Sequence, residues 1–184
     1  MVARLRAKPG GGEDSIPVTI GDMATTRVDG EGSFALVFLV FNSITNLATQ
    51  EAQVGCFQNA ARHLAPGGVF AVETFMPRLR WLPRGQRFVP FDVSHTHIGI
   101  DEYDVATQRL VSHHTNFRGA SVDRTALPFR YVWPAELDLM ARLAGMRLRE
   151  RWSDWTGAPF TSDSESHVSI WEKDSSPIPL SGHI

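Results

Sequence analysis

Four histidines crowd one stretch of the chain, His95, His97, His113 and His114. Neutral imidazole accepts a proton near pH 7, so any of them that faces a bound substrate is a general base. In extended chain, alternation puts His95 and His97 on one face and sends His113 and His114 to opposite faces. A metal site needs two or more of them converging with a carboxylate such as Asp92 or Asp101, and nothing in the spacing enforces that, so no metal is expected. His97 and His113 are the candidate bases; surface strand histidines are the plainer alternative for each. Glu73 lies inside an apolar run, where a carboxylate is costly without a partner. It is either a base facing a substrate amine or hydroxyl, or the partner of a structural arginine. Asp22 follows a short β-branched run, and Asn42 and Ser43 close a longer apolar one. In open sheets the carboxyl ends of strands are where ligands bind. The alternatives are a turn aspartate binding neighbouring backbone and an asparagine satisfying a loop. Of the five tryptophans, Trp133, Trp152 and Trp171 read as packing, whereas Trp81 and Trp155 sit in loop-like sequence and are candidates for binding substrate.

These residues need a frame, and the apolar pattern supplies one. Residues 1–8 read as a helix, ended by Pro9 and the glycines at 10–12. Residues 16–20 read as a short strand. Residues 34–41 are continuously apolar, which suits a central parallel strand covered on both faces. An amphipathic helix follows over 49–64, with Thr49 as N-cap and Val54, Phe57, Ala61 and Leu64 facing the core. Ala65-Pro66-Gly67-Gly68 breaks it, and 69–75 is the next strand. This strand–helix–strand unit predicts a right-handed crossover in a largely parallel sheet. Between 77 and 130 the texture changes to aromatic, histidine-rich strands at 87–93, 97–103, 109–117 and 125–132, which predicts an antiparallel insertion. Pro134 opens a further helix ending near Gly145. Strands at 146–152 and 166–172 close the domain, and 173–184 reads as a loose tail.

Composition limits what such a domain does. At 184 residues, with 42% hydrophobic and 21% charged residues, the chain fits one globular domain. A net charge of −2 leaves no footprint for nucleic acid or an anionic membrane. No apolar run is long enough to span a bilayer, and the start has no secretory signal. Cys56 is the only cysteine, so no intrachain disulfide forms. A cytoplasmic location is the expectation.

Taken in order, four stretches resemble the later part of class I S-adenosylmethionine-dependent methyltransferases of the small-molecule type. Met1-Val-Ala-Arg-Leu-Arg resembles the helix after the family's second strand, and Val18-Thr-Ile-Gly-Asp-Met the third strand with its acidic residue. Residues 34–42 resemble the fourth strand, and His63-Leu-Ala-Pro-Gly-Gly-Val-Phe the turn into the fifth. The resemblance implies a Rossmann-like α/β sheet, truncated, with the antiparallel insertion covering the ligand edge. It implies S-adenosylmethionine as cofactor, with Asp22 accepting from the adenine amino group and Met23 packing on the ring. Phe41 and Asn42, with Ser43 beside them, would line the methionine side. His97, His113 or Glu73 would assist a small-molecule methyl acceptor, though most of the rate would come from proximity and orientation. The family's opening strand and Gly-x-Gly loop are missing, by a misassigned start or a natural truncation. That departure keeps a second expectation open: a methyltransferase-like protein that has lost methyl transfer. It also predicts a bare edge on the strand at 34–41, and hence a homo-oligomer.

Overall fold

A computed structural model describes residues 1–175. In chain order the elements are α1 (Val2–Arg6), β1 (Phe34–Leu39), α2 (Gln50–His63), β2 (Leu64–Phe75), β3 (Phe88–Val93), β4 (His97–Asp104), β5 (Arg109–Arg118), β6 (Ser121–Arg130), α3 (Pro134–Leu143), β7 (Met146–Trp152) and β8 (Ser166–Lys173). Short 3-10 turns stand at Ser43–Asn46 and Arg78–Trp81.

The strands form two four-stranded sheets, ordered β1-β2-β8-β7 and β3-β4-β5-β6. In the first, β1 pairs with β2 in parallel, while β8 runs antiparallel to both β2 and β7. Three of its strands therefore point the same way, with β8 reversed between β2 and β7. The second sheet is antiparallel throughout, built from hairpins inserted between β2 and α3.

Local chemistry starts the helices where expected. The Thr49 hydroxyl accepts the Ala52 N–H at 3.1 Å, capping α2. Pro134 occupies the first turn of α3, and Gly145, at φ +72°, follows its end. Both helices bury apolar faces in one core with β2 and β8. There Phe57 meets the Phe70 and Trp171 rings edge-on, at centroid distances of 5.0 and 5.2 Å.

Polar groups also enter that core. Gln53 is fully buried and donates to the carbonyls of Ile44 (3.3 Å) and Arg130 (3.0 Å). The Arg130 guanidinium returns a hydrogen bond to Gln53 Oε1 and forms an ion pair of 2.6 Å with Glu136. Gln50 and Gln108 donate to the same Glu136 carboxylate, at 2.7 and 2.8 Å. Burial pushes that carboxyl towards neutrality, but the hydrogen bonds from Arg130, Gln108 and Gln50 outweigh it and hold its pKa below the usual value. This cluster ties the end of β6 to α2 and α3, and so fixes the inserted sheet against the first one.

Four expectations are corrected. Residues 16–20 form no strand: no ladder bond joins them to any neighbour, and a strand without a partner does not persist. The segment after them docks on α2 instead, where Asn59 Nδ2 donates to the carbonyls of Met23 (3.1 Å) and Thr26 (2.8 Å). His63 Nε2 accepts the Val28 N–H at 3.1 Å. β1 ends at Leu39 and lies at the sheet edge rather than at its centre, leaving Leu36 51% and Phe38 58% exposed. The turn at 65–68 does not separate helix from strand; the ladder begins at Phe34↔Leu64 and bulges over it, with Gly67 at φ +75°. Finally, β8 includes Lys173, whose Nζ donates to the Leu64 carbonyl at 2.7 Å. The rest of the expected tail, from 176 onward, lies outside the described residues.

His167, on β8, is fully buried; its Nδ1 lies 2.8 Å from Ser169 Oγ and its Nε2 has no partner. Burial, reinforced by the Arg151 charge, lowers its pKa from 6.5 to about 4. A depressed folded-state value means that the unfolded chain takes up the proton first. Stability should therefore be constant above about pH 6.5 and fall as pH drops towards 4, by on the order of 3 kcal/mol from this residue. Urea unfolding at pH 7 and pH 4.5 measures it. A His167→Gln variant with the same loss on acidification would show that the slope arises elsewhere.

A candidate active site between the sheet edge and the inserted strands

The first rim of the site is built just beyond β1. Phe41 and Asn42 have φ of +55° and +59°, consecutive left-handed residues without glycine. Such backbone costs on the order of 1 kcal/mol or more per residue and persists only where the surroundings impose it. Here β2 does so. Glu73 Oε2 accepts the Phe41 N–H at 2.8 Å, and the Glu73 carbonyl accepts the Asn42 N–H at 3.2 Å. Asn42 Oδ1 in turn accepts the Phe75 N–H at 3.3 Å and the Thr74 hydroxyl. The turn holds Phe41 out of the core, 81% exposed. Glu73 is therefore engaged by a backbone amide rather than by an arginine or an open cavity. Ser43 turns back to donate to the Val40 carbonyl at 2.6 Å.

The second rim is one face of the inserted sheet. Cross-strand pairs Gly99↔His114, Asp101↔Ser112 and Tyr103↔Leu110 put these side chains on a common face. Between that face and the Phe41–Asn42 turn lies a cavity of about 490 Å³. Phe91, Tyr103, Phe129 and Tyr131 give it aromatic walls; Asp101, Ser112 and His114 are its polar groups on this side. Arg78 and Met76 close it below. Burial raises the Asp101 pKa above the ordinary carboxyl value, against the hydrogen bond from Ser112 and the charges of Arg78, His114 and His113. Burial also pushes the Tyr103 phenol up to about 12, so it stays protonated.

Behind His114 stands a line of hydrogen bonds. His97 Nε2 is 3.0 Å from His114 Nδ1, and His97 Nδ1 is 2.5 Å from Asp92 Oδ2. His114 Nε2 faces Ser112 Oγ at 3.3 Å. The imidazoles lie 5.2 Å apart with planes 26° from parallel, and Phe91 packs edge-on against His114 at 5.4 Å. Gly99 makes this packing possible: a Cβ there would come within 2.3 Å of the Phe91 ring and 3.0 Å of His97.

The other sequence candidates are dispersed. His113 points to the opposite face, where its Nε2 pairs with Glu102 at 3.0 Å. Asp22 is exposed and its Oδ1 accepts the Ala24 N–H at 2.7 Å, an aspartate turn. Met23 packs against the core and lines a separate cavity of about 320 Å³ between β1 and α2. Trp81 borders a neighbouring recess, with Arg78 stacked 5.3 Å over its ring. Trp155 is half exposed in the turn after β7 and does not line the cavity beside His114. This cavity thus brings together Phe41 and Asn42, with His97 one step behind. Of its polar residues, His114 and Asp101 stood out in the sequence only as members of the histidine cluster and its nearby carboxylates, without being chosen, and Ser112 carried no signal. Among the described residues, no group of three or more His, Cys, Asp or Glu is placed to hold a metal, and no helix is long and apolar enough to cross a membrane.

Comparison with known proteins identifies the frame. The CcbJ methyltransferase from Streptomyces caelestis superposes with a TM-score of 0.80 at 30% identity, over 94% of this chain and 73% of that one. The chain belongs to the methyltransferase family. An S-adenosylmethionine-dependent methyltransferase from Clostridium acetobutylicum shares the fold at TM-score 0.66 and 11% identity, over 85% of this chain and 64% of that one. So does CalS10 from Micromonospora echinaspora, an amino pentose methyltransferase solved with S-adenosylmethionine bound, at TM-score 0.56 and 17% identity, over 83% and 63%. The chain therefore spans about three quarters of the first of these methyltransferases and less than two thirds of the other two. No family model matches the sequence, and no curated protein matches it.

Proposed function

We propose that this methyltransferase-family chain carries the acceptor side of an S-adenosylmethionine-dependent methyl transfer to a small-molecule amine. The observation that carries the reading is the cavity itself, in which Asp101 and His114 on one wall face the strained Phe41–Asn42 turn on the other. The residues present fit part of the cofactor. Phe41 and Asn42 would meet its methionine side, and Asp22 and Met23 its adenine, since one Asp22 oxygen is engaged only by the adjacent turn and the residue is exposed. The glycines at 10–12 follow α1 rather than a strand, so among the described residues no glycine loop follows a strand to approach the remainder. When bound, the cofactor supplies a methyl group on a positive sulfur.

The chain's own residues handle the acceptor. A protonated amine suits a pocket with aromatic faces and one carboxylate: Phe91, Tyr103, Phe129 and Tyr131 offer cation–π contact, and Asp101 the countercharge. An ammonium has no lone pair, so it must lose a proton before it accepts a methyl group. His114 Nε2, on the cavity wall, is the group to take it. The walls supply orientation and exclude water, which is where most of the acceleration of such a reaction lies. The amino pentose acceptor of CalS10 is consistent with this chemistry.

Isothermal titration with S-adenosylhomocysteine tests the cofactor half. Micromolar binding is the expected result, reduced when Phe41 is replaced by alanine. No heat at millimolar ligand would overturn the reading for this chain and favour a small-molecule binding protein that has lost methyl transfer.

A further inference from the structure

We propose that Asp92 and His97 are positioning residues that lock His114 in the tautomer with its proton on Nδ1, leaving Nε2 free on the cavity side. This deepens the reading of His114 as the base and rests on it. The inference follows from the order of partners along one line. A carboxylate only accepts, so the Asp92 contact at 2.5 Å requires a proton on His97 Nδ1. Neutral His97 then presents a lone pair at Nε2, and the 3.0 Å contact to His114 Nδ1 requires the proton to sit on His114. His114 Nε2 is thereby left with its lone pair: the Ser112 hydroxyl gives its one proton to Asp101, and its oxygen lies 3.3 Å from Nε2. Free histidine side chains favour the opposite tautomer, with the proton on Nε2. Without the line, His114 would present an N–H to the substrate and could not take a proton from it.

The fold builds this line in three layers. Asp92 comes from β3, His97 from β4 and His114 from β5, so strand pairing sets their spacing. The bare Gly99 between them leaves room for Phe91, which packs on both imidazoles. Asp101 on β4 and Arg78 beneath the cavity are the other charged groups facing His114. His113 and Glu102 pair with each other on the far face. When His114 takes the amine's proton, its charge is shared through His97 with Asp92, whose side chain is 47% exposed and hydrated.

Nitrogen-15 NMR of the full chain, labelled at histidine, reads the tautomers directly and needs neither cofactor nor acceptor. At pH 7.5 the expected spectrum shows His114 with a pyrrole-type Nδ1 and a pyridine-type Nε2. In His97→Leu the two should exchange places. In His97→Gln, whose amide donates to Asp92 and whose carbonyl accepts from His114, the native assignment should survive. Asp92→Asn should weaken it, and with an assayable acceptor His97→Leu should lower kcat more than it raises KM. A wild-type spectrum with both His97 nitrogens protonated and His114 protonated on Nε2 would overturn the proposal. So would an unchanged His114 in a folded His97→Leu protein. Failure here leaves the S-adenosylhomocysteine titration untouched, so the two readings fail separately.

Discussion

Replacing His114 with alanine should lower the rate of methyl transfer about 100-fold at neutral pH, the lower end of what a positioned general base contributes. The lower end is expected because orientation in the cavity carries the rest of the acceleration and survives the substitution. The acceptor's KM should change little, since Asp101 and the aromatic walls, not His114, hold it. The loss should shrink as pH rises, because solvent deprotonates more of the amine and the base becomes dispensable. S-adenosylhomocysteine release, followed across pH for both proteins, measures this. A variant within threefold of wild type at pH 7, with the same pH profile, would remove His114 from the mechanism. His113→Ala is the control: it pairs with Glu102 on the opposite face and should leave the rate unchanged.

Replacing Arg130 with methionine should cost about 3–5 kcal/mol of stability, the range for breaking one partner out of a buried ion pair. Arg130 and Glu136 side chains retain only 7% and 16% of their accessible surface. The substitution strips Gln53 of its guanidinium donor and leaves Glu136 facing only Gln50 and Gln108. A domain of ordinary stability has about 5–15 kcal/mol in all, so the variant should be close to unfolding at physiological temperature. Glu136→Gln should cost a similar amount, because it leaves the Arg130 guanidinium, the more buried partner, without a countercharge. Urea midpoints for the three proteins decide it; a loss below 1 kcal/mol for Arg130→Met would mean that water already reaches the pair. Because Tyr131 follows directly and lines the cavity, a folded variant should also bind amines more weakly.

Much of the frame was legible in residue order. Thr49, Pro134 and Gly145 mark helix ends by their own backbone chemistry, and the hairpins of the insertion appear in the aromatic strand pattern and its turns. Residues 16–20 were misread because β-branched composition reports a willingness to extend, whereas a strand also needs a partner. The apolar run at 34–41 suggested full coverage for a related reason. The hydrophobicity of Phe38 alone suggests a covered central strand, whereas the structure puts it on a bare sheet edge, 58% exposed.

The site divides along the same physical line. Sequence alone pointed to the strand end at Phe41 and Asn42, because strand ends are local, and the structure puts both residues on the cavity rim. Sequence also determined that His113 and His114 must part, since alternation is local too. Which of the two faces the cavity was a tertiary decision, made by the register of β4 on β5 and by the face that the Gln53–Arg130–Glu136 cluster turns inward. The same register joined Asp92, His97 and His114, which share no periodicity in sequence. Local dihedrals carry information to the next few residues; a proton's place on His114 depends on partners from two other strands.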